Sequence, residues 1–140
     1  MKIMAVDFGE ARTGIAVCDS METLAVPESV IYEKNKIKTA EVVAEKAKEL
    51  QVGMIVVGLA VNMDGSEGYS AAKCREAAGL IEERVTVPVA LWDERVSTKA
   101  AGRYMNETNT RGKRRKQAID AAAAAVILQG FLEFRRNRSL

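Results

Sequence analysis

Met54-Ile55-Val56-Val57 is an unbroken apolar run between Gly53 and Gly58. A strand that is apolar on both faces has no side to offer to water. It belongs at the centre of a sheet covered above and below, as parallel strands usually are. The flanking segments supply the cover. Residues 37–50 carry Ala40, Val43, Ala44, Ala47 and Leu50 at spacings of three and four, which predicts an amphipathic helix with Asn35 as its N-cap. Residues 69–84 give a second helix, and residues 88–92 another strand. Helices that alternate with strands are crossover connections, and they return strands parallel to one another.

The N-terminal third reads differently. Residues 2–7 form a short apolar strand ending at Asp7. Residues 8–12 form a turn, and in residues 13–18 Ile15 and Val17 alternate with Gly14 and Ala16. A third strand runs from Pro27 to about Tyr32. Short links between these strands predict an antiparallel meander. Ser97 is expected to cap a short helix reaching Met105. Residues 107–112 read as a loop, and a last helix covers residues 113–136. The predicted fold is α/β: one domain over 1–140 with a mixed five-stranded sheet, three antiparallel strands then two parallel, and helices on both faces. A chain of 140 residues suits one such core.

No stretch is long enough to span a bilayer, and no signal peptide is legible. Cys18 and Cys74 lack metal-binding or disulfide-framework spacing, so a cytoplasmic protein is expected. The chain contains no histidine. That removes the commonest general base and the commonest transition-metal ligand. Any hydrolysis must run on carboxylates, metal-bound water, thiol or lysine.

Acids stand where elements end. Asp7 closes the first strand, Asp93 and Glu94 close the fifth, and Asp120 lies early in the last helix. Strands one and five should end at the same edge of the sheet, where ligands bind in folds of this kind. Asp120 shares a helix face with Ala123, Ala124, Ile127, Leu128 and Phe131, so it sits on the apolar side and needs a partner. That partner is either a cation shared with the other acids or a neighbouring arginine. Clustered carboxylates repel and raise one another's pKa, which a divalent cation reverses. Oxygen-only donors suit Mg²⁺ or Mn²⁺. Two such ions about 4 Å apart can activate water and steady a leaving oxygen.

Other residues suit phosphate. Arg12, between Gly9 and Gly14, presents a planar fork, although a plain hairpin turn would also read this way. The loop carrying Asn62, Asp64, Gly65, Ser66 and Gly68 precedes a helix start, where anions are favoured; an ordinary capped loop is the alternative. Arg111-Gly112-Lys113-Arg114-Arg115-Lys116 is a dense basic run suited to phosphate contact or to a solvated surface. Arg135, Arg136 and Arg138 read as a solvated end. Tyr69 and Trp92 can stack on bases, with core packing the better reading of Trp92.

Together these segments resemble the YqgF (RuvX) family of ribonuclease H-like nucleases over nearly the whole chain. The matching pieces are Val6-Asp7-Phe8-Gly9 with Arg12-Thr13-Gly14, and Val57-Gly58-Leu59 with Asn62-Met63-Asp64-Gly65-Ser66. Asp93-Glu94-Arg95 with Ser97-Thr98 follows, then Asp120 and its alanine-rich helix. One departure is Ala60, where the family usually has proline. The resemblance implies a catalytic, metal-binding trio of Asp7, Glu94 and Asp120, with Mg²⁺ or Mn²⁺. It chooses Glu94 over Asp93, since strand alternation would send the two to opposite faces. It adds Arg95 to the expected nucleic-acid contacts Arg12, Asn62, Ser66, Arg111, Lys113, Arg114, Arg115 and Lys116. The implied function is maturation of the 5′ end of precursor 16S ribosomal RNA, with the RNA and the ribosomal particle as partners. Three alternatives stand beside it. A Holliday-junction resolvase would act on branched DNA and should be a homodimer rather than a monomer. An actin-like nucleotide-binding protein would need a second lobe. A non-catalytic nucleic-acid-binding module would use the basic run alone.

Overall fold

The computed structural model describes residues 1–97 and 112–138, with side chains for 1–95 and 121–138. Five strands form one sheet: β1 (Ile3–Asp7), β2 (Arg12–Cys18), β3 (Ala25–Tyr32), β4 (Met54–Leu59) and β5 (Val89–Asp93). Their order is β3-β2-β1-β4-β5. The β1–β2 and β2–β3 pairs are antiparallel, while β1–β4 and β4–β5 are parallel. Among the described residues the helices are α1 (Lys36–Glu49), α2 (Tyr69–Glu82) and α3 (Gly112–Arg138), with a 3-10 turn at Glu94–Ser97. The mixed sheet expected from the sequence is the one observed.

The central strands explain the layers. In β1, Ile3, Met4, Ala5 and Val6 are all fully buried. Alternation sends them to two different cores. Ile3 and Ala5, with Val56 of β4, pack under Ala124, Ile127, Leu128 and Phe131 of α3. Met4 and Val6, with Ile55 and Val57, pack under Ala40, Val43 and Ala47 of α1 and Ala78 and Ile81 of α2. The apolar run that opened the sequence reading thus feeds both faces. Asn35 caps α1, its Oδ1 accepting from the Lys38 N–H at 3.0 Å. The small residues of α3 bring its backbone close to the sheet, where it packs on β1, β2 and β3.

Two expectations need correction. The third strand begins at Ala25, not at Pro27, because β3 is an edge strand and an irregularity between Ile15 and Ala16 accommodates the proline. Gly112 opens α3 and is not the end of a loop. The expected helix beyond Ser97, up to Met105, lies outside the described residues. Among those described, no helix is long and apolar enough to cross a membrane.

Candidate active site

β1, β4 and β5 run parallel and end at one edge of the sheet. Asp7 is the last residue of β1, and Glu94 follows the last residue of β5. Gly58 of β4 lies between them. A Cβ on Gly58 would come within 2.5 Å of both Glu94 Oε1 and Ile127 Cδ1. The missing side chain is therefore the seat of Glu94, which tucks across β4 against α3. Gly9 is needed for a related reason, since a Cβ there would run into the backbone carbonyl of Arg12.

Asp7 and Glu94 are hydrogen-bonded to each other. Burial pushes the Glu94 carboxyl above its ordinary range, the Asp7 hydrogen bond opposes the rise, and the charge of Asp93 adds to it. Two acids in contact need a proton or a cation between them. Asp93 is the contrast. Its carboxylate accepts from Arg95 Nη2 at 2.6 Å and from the Arg95 backbone N–H at 2.9 Å. These bonds hold Asp93 below its usual range. The two adjacent acids do part company, but not by strand alternation. β5 stops at Asp93, and the 3-10 turn redirects Glu94.

Asp7 and Glu94 line a cavity of about 380 Å³ with Phe8, Glu10, Tyr69 and Lys73 among its walls. Cys74 also lines it, and burial raises its thiol pKa, so it is a poor nucleophile. Lys73 and Glu10 were not singled out from the sequence. The one signal for Lys73 was its place a helical turn beyond Tyr69.

Of the expected phosphate contacts, the described ones, Arg12, Asn62, Ser66 and Arg95, are not among the residues that line this cavity. Arg95 spans from Asp93 to the carbonyls of Asn62 and Met63, both at 3.4 Å. It ties the end of β5 to the loop after β4. Within that loop, Asn62 Nδ2 donates to Ser66 Oγ at 3.0 Å, and Ser66 Oγ donates to Asp64 Oδ1 at 2.6 Å. Asn62 and Ser66 thus hold the loop's shape. Gly65 turns the chain there with φ +90°, which a side chain would resist. Arg12 opens β2 opposite Tyr32. Of the stacking candidates, Trp92 packs in the core, its ring 5.7 Å from Phe131 and 5.2 Å from Phe134.

The backbone at position 120 belongs to α3, one turn ahead of buried Ala124. The side chains of Asp120, Lys113, Arg114, Arg115 and Lys116 lie outside the described residues, as does Arg111 altogether. Among the described residues, no three His, Cys, Asp or Glu side chains gather as metal ligands. Asp7 and Glu94 form a pair of oxygen donors. In a chain without imidazole, such a pair fits a hard divalent cation.

The sheet order and its covering helices are those of the ribonuclease H-like fold. Thermus thermophilus RuvC, solved in complex with a Holliday junction substrate, superposes with a TM-score of 0.65 at 17% identity, covering 98% of this chain and 96% of that one. The Fowlpox virus resolvase, solved with Holliday junction DNA, gives 0.60 at 10% identity, over 96% and 99%. Sequence carries the assignment further. The family model described as "RuvX: Holliday junction resolvase" matches residues 1–134, and the chain belongs to that family, whose members hydrolyse nucleic acids. A Syntrophomonas wolfei protein is 41% identical over 95% of this chain and 94% of its own length. A Halothermothrix orenii protein is 38% identical over 98% of each. Both are named "Putative pre-16S rRNA nuclease".

Proposed function

We propose that this protein is a metal-dependent phosphodiesterase that trims the 5′ end of precursor 16S ribosomal RNA. The observation that carries the reading is the Asp7–Glu94 contact: two acids at the carboxyl ends of the parallel strands β1 and β5, one of them substantially buried, share a cavity. Asp7, Glu94 and Asp120 would hold Mg²⁺ or Mn²⁺, which supplies a water acidic enough to attack near neutral pH and positive charge for the leaving oxygen.

The chain's own residues do the remaining work. Gly58 and Ile127 fix the position of Glu94. Arg95 sets the loop that carries Asn62 and Ser66 beside the cavity. Lys73 brings a cation to the wall, where a substrate phosphate would gain from it. Arg12 and the run Arg111, Lys113, Arg114, Arg115 and Lys116 are assigned to the nucleic-acid backbone farther out.

The family description favours a second reading, in which the same acids cut a DNA four-way junction as a homodimer. One experiment separates the two. Purified protein is given precursor 16S RNA and a four-way DNA junction with Mn²⁺ or Mg²⁺, beside Asp120→Asn. Cleavage of the RNA near its mature 5′ end supports the first reading, and symmetric junction cleavage supports the second. If neither substrate is cut, or Asp120→Asn cuts as well as the wild type, the metal-nuclease reading is wrong.

A further inference from the structure

Aromatic residues are scarce in this chain, with one Trp, three Tyr and three Phe. Even so, Phe8 and Tyr69 both line the cavity of Asp7 and Glu94. Tyr69 is 69% exposed, yet its side chain is held at two points. Its hydroxyl donates to Glu10 Oε1 at 3.1 Å, and Lys73 Nζ sits 5.0 Å from the ring centroid. Glu10 comes from the turn after β1, while Tyr69 and Lys73 belong to the first turns of α2. The ring is therefore fixed by two elements that both border the acids. With Lys73 over one face, the other face is the one a base would stack on. A ring used only for packing would be turned inward, as Trp92 is against Phe131.

We propose that Tyr69 is a stacking platform for an unpaired base beside the scissile phosphate, with Lys73 placed to meet the adjoining phosphate. Every base has a π-face, so such a platform reads exposure and not sequence. Bases in a continuous duplex are already stacked on their neighbours and cannot use it. The site would thus select substrates with an unpaired nucleotide at the cut, whether in RNA or in DNA. The proposal rests on the nuclease reading for its meaning, but it can be tested without cleavage.

Binding is measured by fluorescence anisotropy in EDTA, so that no strand is cut. The probes are fluorescein-labelled single strands of RNA and of DNA about twelve nucleotides long, within the span such sites cover, and fully paired duplexes of the same sequences. Tyr69→Ala should weaken single-strand binding about tenfold, the usual scale of one lost base–aromatic stack, and leave duplex binding unchanged. Tyr69→Phe, which keeps the ring and loses the bond to Glu10, should bind like the wild type. A role confined to clipping two elements together would make Tyr69→Phe as weak as Tyr69→Ala, and that result overturns the proposal. So does equal loss on single strands and duplexes, wild-type binding by Tyr69→Ala, or failure of the wild type to bind single strands. With Mn²⁺ present, Tyr69→Ala should raise KM and spare kcat. If the wild type binds as described but never cleaves, the nuclease reading falls and the platform stands. If Asp7→Asn abolishes cleavage while Tyr69→Ala changes nothing, the platform falls alone.

Discussion

The two ends of the sheet treat a half-buried glutamate in opposite ways. At the far edge from the cavity, Glu22 accepts from Arg135 Nε at 2.8 Å and from the N-terminal ammonium at 3.2 Å. That pairing holds its carboxyl below the usual range, the Arg135 hydrogen bond contributing most. At the cavity edge, Glu94 faces another acid, and burial pushes its carboxyl up. One end of the molecule is electrostatically closed and serves to hold the last turns of α3 to the chain's beginning. The other keeps an unfavourable pair in place. Such a pair costs stability, and its position at the carboxyl ends of parallel strands is what supports the proposal of a site there.

The sharpest way to break this contrast is to remove an acid from the open end. Asp7→Asn should lower metal-dependent cleavage by at least about a hundredfold, since even outer partners of metal sites are worth 10–100-fold. Single-turnover assays with Mn²⁺ would read it, and chelation should do the same to the wild type. Activity persisting in Asp7→Asn would leave the acid pair without a catalytic role.

Gly58→Ala is the next largest test. The added methyl must displace Glu94 or Ile127, at an expected cost of about 1–3 kcal/mol in stability. Cleavage should fall further than that loss of folded protein explains. Urea unfolding beside the activity assay compares the two. An active Gly58→Ala protein would show that Glu94 does not need this seat.

Acidification should move the two ends in opposite directions. A carboxyl whose folded pKa is raised adds stability that is present in acid and lost as pH rises through the folded value. A carboxyl whose folded pKa is lowered adds stability that is present above the unfolded value and lost as pH falls. In metal-free protein near pH 7, Glu94→Gln should therefore raise the melting temperature by a few degrees, and the gain should shrink as pH falls through the raised folded value and be gone near the ordinary glutamate value of 4.5. Added Mn²⁺ should stabilise the wild type but not Glu94→Gln. The smallest effect is Glu22→Gln, a loss of under about 1 kcal/mol at pH 7 for a partly exposed pair, fading in acid. Melting curves from pH 4 to pH 8 would show both trends. Parallel behaviour of the two variants would erase the distinction between the ends.

Much of the architecture was legible from local pattern. The two-faced run at 54–57, the alternation in β2 and the spacing of Ala40, Val43 and Ala47 each carry their own period, and periodicity is a property of neighbours in sequence. The acids at strand ends were legible for the same reason. What failed was boundary detail. Pro27 looked like a strand start because its tolerance depends on β3 being an edge. Asp93 and Glu94 looked like alternating strand residues because the turn that separates them is set by Arg95 reaching back to Asp93 and across to the loop after β4. Lys73 and Glu10 carried no signal of their own, because each gains its role only beside Tyr69.

By itself, then, the amino-acid order determined which segments become strands and helices, that the centre of the sheet must be covered on both faces, and that any chemistry must run without imidazole. Only the tertiary structure decided that Asp7 and Glu94 touch, that Gly58 makes room for Glu94, and that Asn62, Ser66 and Arg95 brace a loop. The physical reason is distance along the chain. Hydrophobic period acts between residues a few positions apart, whereas proton sharing, ion pairing and steric exclusion act between atoms that only the folded sheet brings within bonding range.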